Sequence, residues 1–342
     1  MRKGFAALAV VGIAACIGLY GLSSLPQQSG TSFLSANLSD EDFIFMKFIA
    51  EHQRSFSTKE EFNLRADIFK SNLAYINNVN ARTDATYTLA VNKFADMTKE
   101  EFKKFLGRNN TTHNNARSEY KVLDESSIPD SIDWRVKGGV NFVQDQGQCG
   151  SCWAFSATAG VEGAHFVATG QLLKLSEQQV IDCVWTLFSW GCSGGEEVDA
   201  LNWAKNNSMI ISDSYPSYNA ETNPYCMEFM FTGSTNVKTV NIVTPNNVTQ
   251  LLAAITQVPT TVAVDVGSDF QFYSRGILNS TTCGTSLDHA IAAVGFNQTG
   301  GYYIVRNSWG QSWGENGYIR MAIVEGEGMC GIQKEPAWAT AS

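Results

Sequence analysis

Seven cysteines, Cys149, Cys152, Cys183, Cys192, Cys226, Cys283 and Cys330, crowd the C-terminal part of this chain. An odd set in an oxidising compartment closes three bridges and leaves one thiol, so the fold must staple its loops while holding one sulfur apart. Six paired cysteines allow fifteen connectivities, and spacing does not choose among them. The eighth, Cys16, lies in the segment that argues for such a compartment. Met1-Arg2-Lys3 precede an apolar run from Phe5 to Leu22, with Gly21 and Ser23 placed where a signal peptidase cuts, so residues 1–23 read as a signal peptide. A retained anchor is the alternative, because the run approaches the length that spans a bilayer. Other apolar runs are shorter and predict no stable span once the signal is removed. Seven Asn-x-Ser/Thr sequons, at Asn37, Asn109, Asn110, Asn206, Asn247, Asn279 and Asn297, fit a secreted glycoprotein. With 342 residues, 44% of them hydrophobic, the chain has material for two average domains and is neither disordered nor fibrous.

The chemistry concentrates in three places. Gln146-Gly147-Gln148-Cys149-Gly150-Ser151-Cys152-Trp153-Ala154-Phe155-Ser156 is followed far downstream by Asp288-His289-Ala290 and then by Asn307-Ser308-Trp309-Gly310. Ser151 is expected to cap a helix from Cys152 to about Ala168 that stops at Gly170. A helix N-terminus and a nearby imidazolium both favour a thiolate, which makes Cys152 a candidate nucleophile and His289 its base. Asn307 would orient the imidazole, and the Gln146 amide would donate to an oxyanion. Taken alone, Cys149-x-x-Cys152 also fits a redox dithiol or half a zinc site. Zinc would want a second close pair of ligands, yet Cys183 and Cys192 are nine apart with no His nearby. A redox dithiol has no use for Gln146, His289 or Asn307. No metal or organic cofactor is expected. Val262–Val266, Ala290–Phe296, Tyr302–Arg306 and Tyr318–Ala322 read as short strands, giving an α+β class.

The stretch from Ser39 to Gly107 lacks cysteine and reads as helical. Glu61, Arg65, Phe69, Asn72, Ile76 and Asn80 recur at steps of three or four, on one face of one helix. Thr98 with Glu101 forms a capping box for a short helix that Gly107 can close. Residues 108–127 are polar and read as an exposed, cleavable linker.

Together these residues resemble the papain family of cysteine proteases, in its cathepsin L-like branch, preceded by the inhibitory propeptide. The six-residue helical face and Asn92-x-Phe94-x-Asp96 match its two propeptide motifs, with Ala90 standing where Gly is usual. Ile128-Pro129-Asp130-Ser131-Ile132-Asp133-Trp134-Arg135 resembles the start of the mature enzyme. The resemblance implies a propeptide at 24–127, helical over about 39–107, and an enzyme at 128–342. It implies a two-lobed fold, with a helical left lobe, an antiparallel β-barrel right lobe and a cleft between them. It pairs Cys149 with Cys192, Cys183 with Cys226 and Cys283 with Cys330, leaving Cys152 free. It assigns catalysis to Cys152, His289, Asn307 and Gln146, with Trp309 shielding the His289–Asn307 bond. Substrate would touch Gly150, Gly195, Glu197, Ala263, Asp288, Trp309 and Glu335. Glu335 would floor the pocket for P2, the residue preceding the scissile one, which takes hydrophobic side chains and, with Glu present, also Arg. The stretch from Val184 to Gly191, with Trp185, Phe188 and Trp190, is slightly long and is expected to fill core, the alternative being a new exposed apolar patch. No paired-His insertion of the dipeptide-removing relatives is present, which favours an endopeptidase. The rival reading is an inactive binding or inhibitor protein; such a homologue usually lacks the thiol or the imidazole, and both are here.

Residues 128–342 hold 19 Asp and Glu against 9 Lys and Arg, whereas residues 33–127 are near neutral. Attraction between the two parts should weaken as carboxylates protonate, which predicts a precursor latent near neutrality that matures in acid. No nucleic-acid partner is expected. Expected partners are protein and peptide substrates, the chain's own propeptide and cystatin-type inhibitors. A monomer in the secretory pathway, bound for a lysosome, a vacuole or the exterior, completes the expectation.

Overall fold

The computed structural model describes residues 39–108 and 119–342. The signal segment, Asn37, Asn109, Asn110 and the rest of linker residues 109–118 lie outside the described residues. Helices α1 (Asp40–Glu51), α2 (Lys59–Asn80) and α3 (Lys99–Phe102) and strand β1 (Tyr87–Leu89) form the prosegment. Each helix opens on a hydroxyl that satisfies an otherwise orphaned N–H: Ser39, Thr58 and Thr98 accept from the third helical residue, Ser39 and Thr98 within full capping boxes. The polar residues of that α2 face are spent largely on the segment that follows the helix. Arg65 binds Glu101 through two nitrogens, Asn72 donates to the carbonyls of Ala95 and Met97, and Asn80 exchanges two bonds with Leu89. The periodic seam therefore straps residues 89–101 to the helix, while Phe69 and Ile76 between those polar groups are buried. Ala90 is exposed and its N–H reaches the carbonyl of Phe272, so its methyl costs nothing there.

Beyond β2 (Glu119–Tyr120) and β3 (Ser131–Asp133) come α4 (Cys152–Thr169), α5 (Glu177–Cys183) and α6 (Glu197–Asn206). The second half alternates β4 (Val237–Ile242), α7 (Val248–Gln257), β5 (Thr260–Val264), α8 (Ser268–Gln271) and β6 (Tyr273–Leu278), then runs through β7 (His289–Asn297), β8 (Tyr302–Arg306), β9 (Tyr318–Ala322) and β10 (Ala337–Ala341). The sheet order is β1-β6-β9-β8-β7-β5-β10-β4-β2, with β3 on β7. The prosegment thus adds a strand to the enzyme's own sheet, β1 running antiparallel to β6 with Tyr87 opposite Gly276. One apolar core runs without a break from Phe45, Phe69 and Phe94 of the prosegment to Phe296 of the sheet and Trp313 of the β8–β9 loop; the other gathers Trp153, Leu201, Val240 and Trp338 around α4.

The disulfides are Cys149–Cys192, Cys183–Cys226 and Cys283–Cys330, and Cys152 is free and buried. The stretch 184–191 is not core filler. Val184 and Ser189 turn inward, whereas Trp185, Leu187 and Trp190 are exposed. The two indole N–H groups bind the carbonyls of Asp182 and Thr186, which pins the rings on the surface. No helix among the described residues is long and apolar enough to cross a membrane.

Candidate active site

The nucleophile candidate is the first residue of α4, a helix buried almost to its end and stopped by Gly170 in the left-handed region. Its sulfur accepts the Ala290 N–H at 3.4 Å. His289 opens β7 beside that amide and pairs with Val264 of β5, so the strand that carries the imidazole also carries a donor to the sulfur. Asn307 follows β8, and the antiparallel β7–β8 ladder brings it beside His289.

The hydrogen bonds fix the tautomer. Asn307 Oδ1 lies 2.8 Å from His289 Nε2 and also accepts the Ser308 N–H, so the amide oxygen faces the ring and Nε2 carries the hydrogen. Nδ1 is buried with no hydrogen-bond partner, the nitrogen left over for a thiol proton. Trp309 stacks on the imidazole at 4.6 Å and is wholly buried, walling the His289–Asn307 bond from water. Gln146 is held by a residue that the motif reading passed over. Ser308 Oγ donates to Gln146 Oε1 at 2.6 Å and the Ser308 carbonyl accepts the Gln146 main-chain N–H at 2.8 Å, while the amide NH₂ gives one hydrogen to the Cys149 carbonyl at 2.9 Å and turns the other to the cleft. Its place between Asn307 and Trp309 was the available signal.

Ser151 does not cap α4 with its side chain. Its hydroxyl turns instead to Tyr218, 2.8 Å away.

The prosegment fills this cleft. After α3 a 3₁₀ turn ends at Phe105, and Leu106 is extended. The Phe105 carbonyl takes the Gln146 NH₂ at 3.0 Å. Gly107 is therefore no helix cap. Its N–H faces the Cys152 sulfur, its carbonyl accepts from Gly195 at 2.8 Å, and a Cβ on it would lie 2.0 Å from the Gly150 carbonyl oxygen. Gly195 has the same need, since a Cβ there would sit 2.5 Å from the Trp153 ring. Arg108 donates its N–H to the Asp288 carbonyl and pairs parallel with Gly195. The sulfur consequently meets a donor N–H where attack would need a carbonyl carbon.

The Arg108 side chain is 2% exposed and enters a pocket of three carboxylates: Glu196 at 3.0 Å, Glu197 at 3.4 Å, and Glu335 in direct contact. Glu197 and Glu335 were expected there and Glu196 was not, though the pair after Gly194-Gly195 was a readable signal. Ala263 lies buried in β5 opposite Ala290, and its side chain takes no part in these polar contacts.

Covering the site moves every charge in it. Burial pushes the Cys152 thiol up to about 12 and His289 down to about 4, although the Ala290 and Gly107 N–H groups and Asn307 pull the other way. The pair is thereby held as neutral thiol and imidazole, not as the reactive ions. Burial also raises Asp288 to about 7, Glu196 to about 9 and Glu197 above the usual carboxylate range, against the attraction of Arg108 for the two glutamates. Burial disfavours the Arg108 cation too, but Glu197, Glu196 and Glu335 outweigh it.

A thiol at a helix start, an imidazole with a free nitrogen and an oriented amide donor can together perform acyl transfer. The comparisons agree. Residues 128–340 match the family described as papain family cysteine protease, and residues 45–102 match the cathepsin propeptide inhibitor domain. The thiol protease SEN102 of Hemerocallis sp. is 39% identical over 94% of this chain and 93% of its own length, and fruit bromelain of Ananas comosus is 39% identical over 86% and 85%. Among solved structures, a recombinant stem bromelain precursor superposes with a TM-score of 0.80 at 37% identity, covering 88% of this chain and 99% of that one. Digestive procathepsin L 3 from the larval midgut of Tenebrio molitor gives 0.79 at 33%, covering 89% and 100%. Inhibitory prosegment, two-lobed α+β enzyme and cleft are all accounted for in one way: the chain belongs to the papain family of cysteine proteases, in zymogen form.

Proposed function

We propose that this cysteine endopeptidase works through Cys152, His289, Asn307 and Gln146, and that its P2 pocket takes arginine as well as apolar side chains. Once the prosegment leaves, solvent and the paired imidazolium favour the Cys152 thiolate. The sulfur attacks the peptide carbonyl carbon, and the displaced electron pair rests on the oxygen between Gln146 Nε2–H and the Cys152 N–H. The C–N bond breaks as His289 Nδ1–H protonates the leaving amine, giving a thioester. Water then attacks the thioester while His289 takes its proton, and the acid and the free thiolate are released. Asn307 holds the ring so that Nδ1 serves both steps.

The observation that carries the P2 reading is Arg108, an arginine already seated among Glu196, Glu197 and Glu335. A desolvated bidentate charge pair contributes about 1.5–3 kcal/mol. Glu335→Ala or Glu197→Ala should therefore cut kcat/KM for an Arg-Arg peptide relative to a Leu-Arg peptide by roughly ten- to a hundredfold. An unchanged ratio in both variants would remove these carboxylates from the pocket.

The signal peptide ends at 23, the prosegment covers 24–127, and the mature enzyme begins near Ile128 and acts as a monomer open to cystatin-type inhibitors. It is delivered along the secretory pathway to a lysosome or vacuole or to the exterior. Incubating the precursor across pH and sequencing the new N-terminus tests the boundary.

A further inference from the structure

Tyr218 lies on the loop between α6 and β4 and touches three parts of the site at once. Its hydroxyl donates to the Gln146 carbonyl at 2.6 Å and lies 2.8 Å from Ser151 Oγ. Its ring meets Phe155 edge to face at 5.0 Å. A tyrosine hydroxyl has one hydrogen and a carbonyl can only accept, so the hydrogen goes to Gln146 and Ser151 must donate to the Tyr218 oxygen. The relay runs from Ser151 through Tyr218 to the Gln146 main chain. Burial pushes the Tyr218 hydroxyl far above its ordinary value, so it stays protonated and keeps donating wherever the enzyme works.

Two consequences meet at the oxyanion. The Gln146 main chain is gripped from both sides, its N–H by the Ser308 carbonyl and its C=O by Tyr218. Ser151, at the N-cap position, is drawn away from the first turn of α4, so its oxygen does not compete with a substrate oxygen for the N–H groups there. The loop itself is tethered by the Cys183–Cys226 disulfide, by Gln178 to the Glu221 carbonyl and by Asp182 to Asn223, so the hydroxyl rests on a rigid support.

We propose that Tyr218 is a positioning residue of the oxyanion hole, setting the separation of the Gln146 amide and the Cys152 N–H by tying the Gln146 main chain to Ser151. This rests on the reading of Gln146 as an oxyanion donor. The probe is a peptide aldehyde, whose hemithioacetal places an oxygen in the hole, compared with iodoacetamide, which alkylates the thiolate without using it. Tyr218→Phe keeps the ring on Phe155 and removes only the relay. In enzyme matured from the full chain by added wild-type protease, kcat and aldehyde affinity should each fall roughly tenfold, less than the hundredfold or more expected on losing a donor outright. KM and the alkylation rate should stay within about twofold. In a Gln146→Ala background the additional aldehyde penalty should vanish, because residues acting as one unit are not additive. Unchanged aldehyde affinity, or alkylation falling in step with it, overturns the proposal. Should Gln146→Ala itself leave aldehyde affinity intact, the fault lies with the reading of Gln146 and takes the Tyr218 role with it.

Discussion

At the residue scale, the site is a set of polar atoms each given one direction. Asn307 spends its oxygen on Nε2 and the Ser308 N–H, which leaves Nδ1 unpaired; Ser308 spends its hydroxyl on Gln146 Oε1, which turns the NH₂ toward the Phe105 and Cys149 carbonyls. Cys152→Ala and His289→Ala should each lower kcat by on the order of a thousandfold or more, because thiol and imidazole act as one unit. Their thermal melting temperatures should stay near wild type, and turnover close to normal in either variant would sink the mechanism. Much of this was legible in the sequence, since Cys152, His289, Asn307 and Gln146 sit in short recognisable contexts. Tyr218 was not legible as a partner, and Ser308 was marked only by its place between Asn307 and Trp309, which does not say what it holds. Their roles depend on which atom of a neighbour is left over, and a sequence does not carry that information.

At the element scale, the decisive piece is the extended stretch from Leu106 to Arg108. Sequence rules read Gly107 as the end of a helix, because Gly after a capped helix usually has that meaning. Its real constraint is lateral: the Gly150 main chain runs so close that only a hydrogen fits. Gly107→Ala should therefore lift the prosegment from the sulfur while α2 and its seam stay folded. Iodoacetamide labelling of Cys152 in the uncleaved precursor at neutral pH should rise roughly tenfold or more, as the desolvation that raises the thiol is relieved. Labelling as slow as in the wild-type precursor would show that the backbone adjusts around the methyl. The strand runs Tyr302–Arg306 and Tyr318–Ala322 were readable to the residue, and β7 and β5 to within two residues. β4, β6 and β10 escaped notice, because alternation is weak where both faces of a strand are partly covered.

At the scale of the whole molecule, the question is what acid does to a prosegment that shares a core and a sheet with the enzyme. The net charge of the two parts suggested that protonation simply weakens their attraction, but the ion pairs do not all have the same sign of effect. Arg65 holds Glu101 at about 2, below its ordinary 4.5. A carboxyl depressed in the folded state contributes stability that is present above 4.5 and is lost as pH falls from there toward 2. That pair lies inside the prosegment and straps α3 to α2. Glu196 behaves oppositely, since burial raises it to about 9 and the docked form takes up a proton as pH falls below that value. On the Glu196 side, acidification is thus expected to leave Arg108 seated, while it loosens the Arg65–Glu101 strap of the fold that delivers Arg108 there. Glu101→Gln, which removes the charge pair at every pH, should move the midpoint of precursor maturation to higher pH, whereas Glu196→Gln should not raise it. Both midpoints are read by following loss of precursor after timed incubation with a fixed trace of active enzyme. If Glu196→Gln raised the midpoint and Glu101→Gln left it in place, the trigger would lie in the pocket and not in the prosegment's own fold.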